Sequence, residues 1–250
     1  NKPSPWENFF VHNVDYHQSH GLTGKLKAGI DFIYNAEACN KLNTLLLEQR
    51  PDIVHFHNIY HQLTPALIGV AKRFGCKTVL TAHDYKIVCP SYTMLRDGHV
   101  CDDCLTGSVS NAFRHRCQQG DTFKSLLLSL EAYWQKFAQN YAMLDCIIAP
   151  SEFMRQTLLR KLPRSRIDVI VNGIDASTTV PGDTAGDYFL YIGRLSREKG
   201  VATLALAQQK MQQSMPLKIV GDGPLGSDLR ARFSGPEFLG YMRHGEALNA

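Results

Sequence analysis

The chain has 250 residues, of which 44% are hydrophobic and 20% charged, and its formal net charge is +4. This composition is that of a globular protein with one large or two smaller domains, and the mild charge argues against the clustered basic face of a nucleic-acid binder. No apolar run has the length of a membrane-spanning helix and the start does not resemble a signal peptide, so we expect a cytoplasmic protein with room for peripheral contact at the inner face of an anionic membrane.

The first two thirds of the chain alternate predicted helices with predicted strands. Apolar residues at helical spacing predict one long helix over 26–49, which ends before Pro51. Further helices are predicted over 64–74, 122–143 and 152–162. Strands are predicted over 52–57, 77–83, 145–149 and 167–171. Near the end of the helix over 122–143, helical spacing suggests core positions for Tyr133, Trp134 and Phe137.

A second series of elements follows a segment of Ser, Thr, Pro and Gly over 176–186, which has the composition of a linker. Strands are predicted over 188–192, 217–220 and 237–239, and helices over 198–213 and 225–233. Strands that alternate with helices indicate parallel sheets covered on both faces, so we predict an α/β fold in two units, 1–175 and 187–250. Because the chain opens on Asn1 and the second unit has only three predicted strands, we expect a fragment cut at both ends.

Two cations stand just beyond the predicted strand over 188–192. Arg194 follows Gly193 directly, and Lys199 stands five residues further on, where the next helix begins. In an open parallel sheet, ligands bind beyond the carboxyl ends of the strands, where a helix N-terminus also favours anions. A guanidinium and an ammonium at this turn suit a diphosphate, and the alternative is an ordinary solvated turn.

Histidines gather at two predicted strand ends. In a strand, His55 and His57 point to one face and Phe56 to the other. Together with His61, they could chelate a metal, contact a ligand or form hydrogen bonds at the end of the strand. His83 ends the following strand, where a ligand crevice is expected, and the alternative for it is a core histidine bonded to a carbonyl.

Four of the seven cysteines stand in one predicted loop over 84–120, and a loop of this length normally has a function or an internal staple. The spacing Cys89-x11-Cys101-x2-Cys104-x12-Cys117 places a close pair between two distant partners, as a tetrahedral structural zinc site does. Reduced thiols and a disulfide are the alternatives, and a cytosolic compartment disfavours the disulfide. Substitute zinc ligands in the same loop are His99 and His115.

Seven short motifs follow one another between residues 51 and 240. They are PDIVHFHN (51–58), TAHD (81–84), APSEF (149–153), VNGID (171–175), YIGRLSREKG (191–200), KIVGDGP (218–224) and FLG (238–240). Each motif alone is weakly specific. Their order and spacing together resemble the family-4 retaining glycosyltransferases of GT-B fold, and the resemblance covers nearly everything after about residue 30.

The resemblance implies two Rossmann-like domains. An acceptor-side domain would occupy 1–175, and the first part of a nucleotide-sugar-binding domain would occupy 187–250. It implies a hexosyltransferase that moves a sugar from a nucleoside diphosphate donor to a glycan or lipid-linked glycan, as in polysaccharide or lipopolysaccharide biosynthesis, with retained anomeric configuration. It also implies no metal for catalysis, which makes acceptor contact or hydrogen bonding the favoured role of the strand histidines.

Individual site residues are implied by their positions in these motifs. Arg194 and Lys199 correspond to the pair that grips the donor diphosphate, and His83 to the histidine that contacts the donor sugar. The remaining donor-side residues implied are Gly193, Gly221 and Gly240. The acceptor-side candidates are His57, Asn58 and Asp84.

Two parts of the family pattern are missing from the chain: the glycine-rich loop near the start and the glutamate pair of the C-terminal domain. We therefore expect the fragment to be inactive alone. One alternative function is a non-catalytic nucleotide- or glycan-binding module. A zinc-dependent nucleic-acid binder is the other, and only the cysteine loop favours it.

Overall fold

The structure, a computed structural model, describes residues 4–12, 21–173, 186–212 and 215–243. The chain divides into two compact units, Asn1–Ile174 and Asp175–Ala250. The predicted linker over 176–186 lies, except for its last residue, outside the described residues.

The first unit is built on a four-stranded parallel sheet. Its strands are β1 (Ile53–His57), β2 (Lys77–Thr81), β5 (Cys146–Ala149) and β6 (Ile167–Val169), in the order β1-β2-β5-β6. The helices are α1 (Gly21–Ile33), α2 (Ala36–Gln49), α3 (Ala66–Arg73), α6 (Thr122–Phe137) and α7 (Glu152–Lys161). A 3-10 turn over Glu7–Phe9 precedes them. Ile68, Leu80, Ile147 and Leu158 are fully buried, so the core lies between the central strands and the helices.

The predicted single helix over 26–49 is wrong, because Asn35 divides it into α1 and α2. The Asn35 Oδ1 accepts a hydrogen bond of 2.9 Å from the amide of Ala38, and its Nδ2 donates to the carbonyl of Gln62 at 2.6 Å. Asparagine competes with helical backbone bonds and favours an N-cap. The apolar periodicity on both sides of Asn35 does not reveal this break.

The loop predicted over 84–120 contains short elements. They are a hairpin of β3 (Leu95–Arg96) and β4 (His99–Val100), and two short helices, α4 (Asp103–Thr106) and α5 (Asn111–Arg114). The next helix, α6, ends earlier than predicted, since Gln139 adopts a left-handed φ of 53° before a 3-10 turn over Asn140–Met143.

The exposure of α6 contradicts the prediction for its aromatic residues. Tyr133, Trp134 and Phe137 are exposed, whereas Glu131 and Gln135 on the opposite face are buried. Polar interactions of that buried face fix the orientation, as shown below. The apolar periodicity of α6 therefore marks its outer surface.

The second unit contains a three-stranded parallel sheet in the order β7-β8-β9. Its strands and helices are β7 (Phe189–Ile192), β8 (Leu217–Val220), β9 (Glu237–Gly240), α8 (Val201–Gln209) and α9 (Gly226–Arg232). Leu195, Ile219 and Leu229 form the centre of its core. The helix predicted over 198–213 begins later, at Val201. It is preceded by a 3-10 turn over Arg197–Lys199 and by Gly200, which has a left-handed φ of 68°.

Both units thus confirm the predicted α/β class with parallel sheets. Within the described part of the chain, no helix is both long and apolar enough to cross a membrane.

Candidate functional site

Two histidines meet at the carboxyl edge of the first sheet. Parallel pairing of β1 with β2 sets His57 beside Thr81, and His83 follows two residues later. The His57 Nδ1 and the His83 Nε2 are 2.8 Å apart, which is a hydrogen bond between two exposed imidazoles. In this bond one ring donates and the other accepts. The two outer nitrogens of the neutral pair therefore present one donor and one acceptor to a ligand.

His55 shares the face of His57, as the strand alternation predicts, while Phe56 is buried in the core. The His55 Nε2 lies 2.9 Å from the Thr81 Oγ1. Burial, followed by the charges of His57 and His83, lowers the pKa of His55. Burial and its two histidine neighbours therefore oppose protonation of His55.

His61 does not join this row. The backbone turns at Asn58, an exposed residue with φ 49°, and again at His61, with φ 57°. The His61 ring stacks on Phe32 with 4.2 Å between ring centroids, and burial followed by the charge of Lys86 lowers its pKa to about 3. His61 is therefore a neutral packing residue at neutral pH, and the grouping of three histidines suggested by the sequence is not formed.

A buried ion pair lies behind the loop that carries His83. Asp84 accepts a hydrogen bond of 2.9 Å from the backbone amide of Lys86, and burial is the main cause of its raised pKa. The Lys86 Nζ lies 2.9 Å from the Glu131 Oε2 and donates to the carbonyl of Pro90 at 2.9 Å. Both charged side chains are only 2% exposed. The pair ties the loop after β2 to α6, and sequence reasoning missed it because partners 45 residues apart share no local pattern.

The loops after β7 and β8 in the second unit are tied together through their backbones. The amide of Gly193 donates to Val220 and that of Leu195 to Asp222, both at 3.0 Å. A Cβ on Gly221 would lie 1.9 Å from the carbonyl oxygen of Gly193. Close contact between the two loops is thus one reason why position 221 needs a glycine, in addition to any need for a ligand to approach the backbone there.

Arg194 and Lys199 are both exposed on the first of these loops. Glu198 lies between them in the sequence, and its pKa is lowered mainly by the hydrogen bond from the Ser196 hydroxyl, with smaller contributions from both cations. Sequence reasoning did not single out this carboxylate. Three exposed cations, with Arg197, against one carboxylate leave this loop positive and suited to an anion.

Gly240 ends β9 with a left-handed φ of 74°, and a Cβ there would meet nothing within 4 Å. Its carbonyl accepts a 2.7 Å hydrogen bond from the amide of Gly221. The three donor-side glycines thus lie on connected backbone at the carboxyl edge of the second sheet.

The four loop cysteines line one small cavity of about 10 Å³ in the first unit. Burial, followed by the charges of the other three loop thiols, raises the pKa of Cys104 to about 12. Burial is also the main cause of the raised pKa of Cys117. All four are free thiols, and no three His, Cys, Asp or Glu side chains within the described ranges are arranged to hold a metal ion. The cysteines share a cavity without forming a ready metal site, and structural zinc stays a prediction.

The two histidines predicted as substitute zinc ligands, His115 and His99, have different surroundings. The His115 Nε2 is 3.0 Å from the Asp103 Oδ2, which also pairs with Arg96 at 2.8 Å. His99 belongs to the exposed strand β4.

Comparisons with known proteins address the family. A family model described as Glycosyltransferase Family 4 matches residues 10–178. A glycogen synthase from Chlorobium luteolum is 33% identical over 89 residues, which are 31% of this chain and 18% of that protein. The apo form of the lipopolysaccharide outer core galactosyltransferase WaaB gives a TM-score of 0.45 at 16% identity, covering 84% of this chain and 50% of that chain. This chain therefore spans no more than half the length of either relative. Because the family model covers well over half of the residues, the chain belongs to Glycosyltransferase Family 4.

Proposed function

We propose that the protein transfers a hexose from a nucleoside diphosphate sugar to a glycan or lipid-linked glycan with retained anomeric configuration. The observation that carries the proposal is the exposed pair Arg194 and Lys199 beside the loop contacts of Gly193 and Gly221, in a chain of this family. A forked guanidinium and a compact ammonium on one positive loop are suited to the two phosphates of such a donor.

Arg194 and Lys199 would act on the leaving group. As the bond between the sugar and the phosphate breaks, negative charge grows on the departing diphosphate. Cations fixed at that position stabilise the transition state more than the ground state. The proposal assigns this charge to protein cations and requires no metal for catalysis.

His83 would contact the donor sugar, and His57 would orient the His83 ring. The 2.8 Å bond between their rings restricts rotation of His83 and couples the two tautomers. Because the pair offers one donor and one acceptor, it suits sugar hydroxyls, which can do both. Asn58 and the partly buried Asp84 are the proposed acceptor contacts on the same edge, together with His57.

The experiment uses the full-length protein, because residues 1–250 are expected to be inactive alone. It compares nucleoside diphosphate binding and sugar transfer across UDP-, GDP- and ADP-sugars. Arg194→Gln and Lys199→Gln should each weaken transition-state stabilisation by about 2–4 kcal/mol, the range for one preorganised electrostatic contact. Lys210→Gln, an equal charge change at the far end of α8, should leave turnover within about twofold.

Three results would argue against parts of the proposal. Near-parental rates for both variants would remove the diphosphate assignment. Product of inverted anomeric configuration, measured by NMR, would exclude retention. Binding of a nucleotide sugar without transfer to any acceptor would favour the non-catalytic binding module.

A further inference from the structure

Helix α6 presents an apolar stripe that the described residues of its own unit leave exposed. Between residues 123 and 137, every exposed side chain except that of Lys136 is aliphatic or aromatic. The members of this α6 stripe are Phe123, Leu126, Leu130, Tyr133, Trp134 and Phe137. At about 100° per residue they fall within an arc of roughly 100° and extend about 20 Å along the helix. Phe123 is 65% exposed and Phe137 81%, so the stripe is open at both ends.

Polar bonds on the inner face prevent α6 from rotating to bury the stripe. The Ser129 hydroxyl donates to the carbonyl of Val109 at 3.0 Å and accepts from the amide of Phe113 at 3.1 Å. Glu131 forms the buried ion pair already described. The Gln135 amide donates to the carbonyl of Ile33 at 3.2 Å. Rotation would break these buried interactions, so the outward stripe is a fixed feature of the fold.

Neighbouring helices extend the apolar surface. Ile30 of α1 is 56% exposed, and α1 packs against α6. Tyr34, which follows α1, lines a surface depression together with Trp134 and Arg73. Exposed apolar groups on two adjoining elements form a patch of the kind that marks an interaction site.

Charges around the stripe select the kind of partner. Along α5, α6 and the turn between them, Arg114, Arg116, Lys124 and Lys136 are exposed or half-exposed cations. Asp121 is the one acidic side chain there that is not buried, because Glu131 is paired inside the unit. The excess of three positive charges favours an anionic surface.

We propose that the α6 stripe docks on an anionic phospholipid bilayer, with its aromatic residues in the headgroup region and the flanking cations at the lipid phosphates. Tryptophan and tyrosine favour this interface, and an amphipathic helix lies in its plane with basic residues beside the apolar face. A second copy of the chain fits less well. Two faces with the same excess of positive charge would repel each other. This docking does not depend on the proposed sugar transfer.

The test is flotation of the protein with vesicles of phosphatidylcholine alone or mixed with phosphatidylglycerol. The parent should bind the mixed vesicles and lose binding at high salt. Phe123→Ser combined with Phe137→Ser should reduce binding at least tenfold. Phe153→Ser, at a 70% exposed phenylalanine on α7, should leave it unchanged. Equal thermal unfolding midpoints for the parent and variants confirm that folding is retained.

Trp134 provides an independent readout. In protein carrying Trp6→Phe, which leaves Trp134 as the single tryptophan, the emission should shift to the blue with mixed vesicles and be quenched by brominated lipids. Failure to bind either vesicle type, or equal binding by the parent and the double variant, would overturn the proposal. So would a concentration-dependent dimer that the double variant abolishes in the absence of vesicle binding.

Discussion

At position 221 only glycine fits, because there is no room for a Cβ atom. Its φ is 138°, and the position a Cβ would take is 1.9 Å from the Gly193 carbonyl oxygen and 2.9 Å from the Gly193 carbonyl carbon. The obstacle is backbone, which cannot rotate away as a flexible side chain can. The loop that carries Arg194 therefore depends on glycine at this position before any ligand binds.

Gly221→Ala should lower the free energy of unfolding of the second unit by about 3 kcal/mol, because it combines a strained φ with a backbone clash. Gly186→Ala is the matched control. Its Cβ would meet the Tyr188 ring at 3.6 Å, an ordinary contact, and should change stability by less than about 0.5 kcal/mol. Urea unfolding followed by circular dichroism measures both. Equal midpoints for the two variants would show that the loops can separate without cost.

The histidine row shows which site geometry the sequence could predict. Strand alternation places His55 and His57 on one face because the side-chain period of a strand is two. The contact of His57 with His83 was not predicted, although it is consistent with parallel neighbouring strands that end at one edge. The stacking of His61 on Phe32 could not be predicted, since it depends on left-handed backbone after β1 and on a helix far away in sequence.

Helix α6 reverses the usual arrangement of a surface helix, and the ion pair of Lys86 with Glu131 is the strongest reason. Periodicity identifies a helix and its two faces, but it does not state which face is inside. That choice depends on partners elsewhere in the chain, such as Lys86 in the loop after β2. The helical periodicity of α6 is therefore correctly predicted, but the prediction that its aromatic side is buried is wrong.

Removing one member of this pair should be costly. Lys86→Met or Glu131→Leu alone should lower the free energy of unfolding by about 3–5 kcal/mol, because each leaves a buried charged group without its partner. The double variant Lys86→Met, Glu131→Leu should recover most of that loss, since two apolar groups need no partner. The control is Lys124→Met, whose half-exposed pairing with Asp121 at 3.8 Å should contribute less than about 1 kcal/mol. A double variant with the summed loss of the two single ones would refute strong coupling.

In the loop over 84–120, the spacing of the cysteines predicted that they cluster, but it did not predict the hairpin and the short helices that bring them together. A hairpin and two short helices bring Cys89, Cys101, Cys104 and Cys117 to one cavity. Five non-glycine residues of the loop have left-handed backbone that the composition does not specify: Tyr92, Met94, Asp97, Arg116 and Gln119. The apolar spacing that reveals longer elements is absent from pieces this short.

We expect about one zinc ion per chain in protein purified under reducing conditions without chelator, measured by elemental analysis. The pKa of Cys104, raised to about 12, means that this thiol is protonated without metal, so zinc binding must release its proton. Zinc affinity should consequently rise with pH and fall in acid. Cys104→Ser should lose the metal, whereas Cys146→Ser, outside the loop, should retain it. Less than about 0.1 equivalent in the parent would count against zinc and favour reduced thiols.

At the scale of the whole chain, alternation of strands and helices predicted the fold class and most element positions. Parallel strands need helical connections, and long apolar runs make buried strands recognisable. Errors concentrated where one side chain competes with the backbone, as at Asn35, or where a left-handed residue ends a helix, as at Gln139. Such choices depend on tertiary partners, whereas the class of the fold depends on periodicity alone.

The two units should separate under limited proteolysis. Among the described residues each unit has its own apolar core, with Leu80 and Ile147 central to the first and Ile219 and Leu229 to the second. Subtilisin suits the test, because the segment over 176–186 has neither Lys nor Arg for trypsin. The first cuts should fall there or later and leave a resistant piece close to Asn1–Ile174 that keeps its helical circular dichroism.

The second unit should be digested before the first, because Phe189, Leu190 and Ile192 of β7 are each at least 40% exposed. Initial cleavage inside the first unit, or loss of its helical signal once the segment is cut, would mean that the two units fold as one.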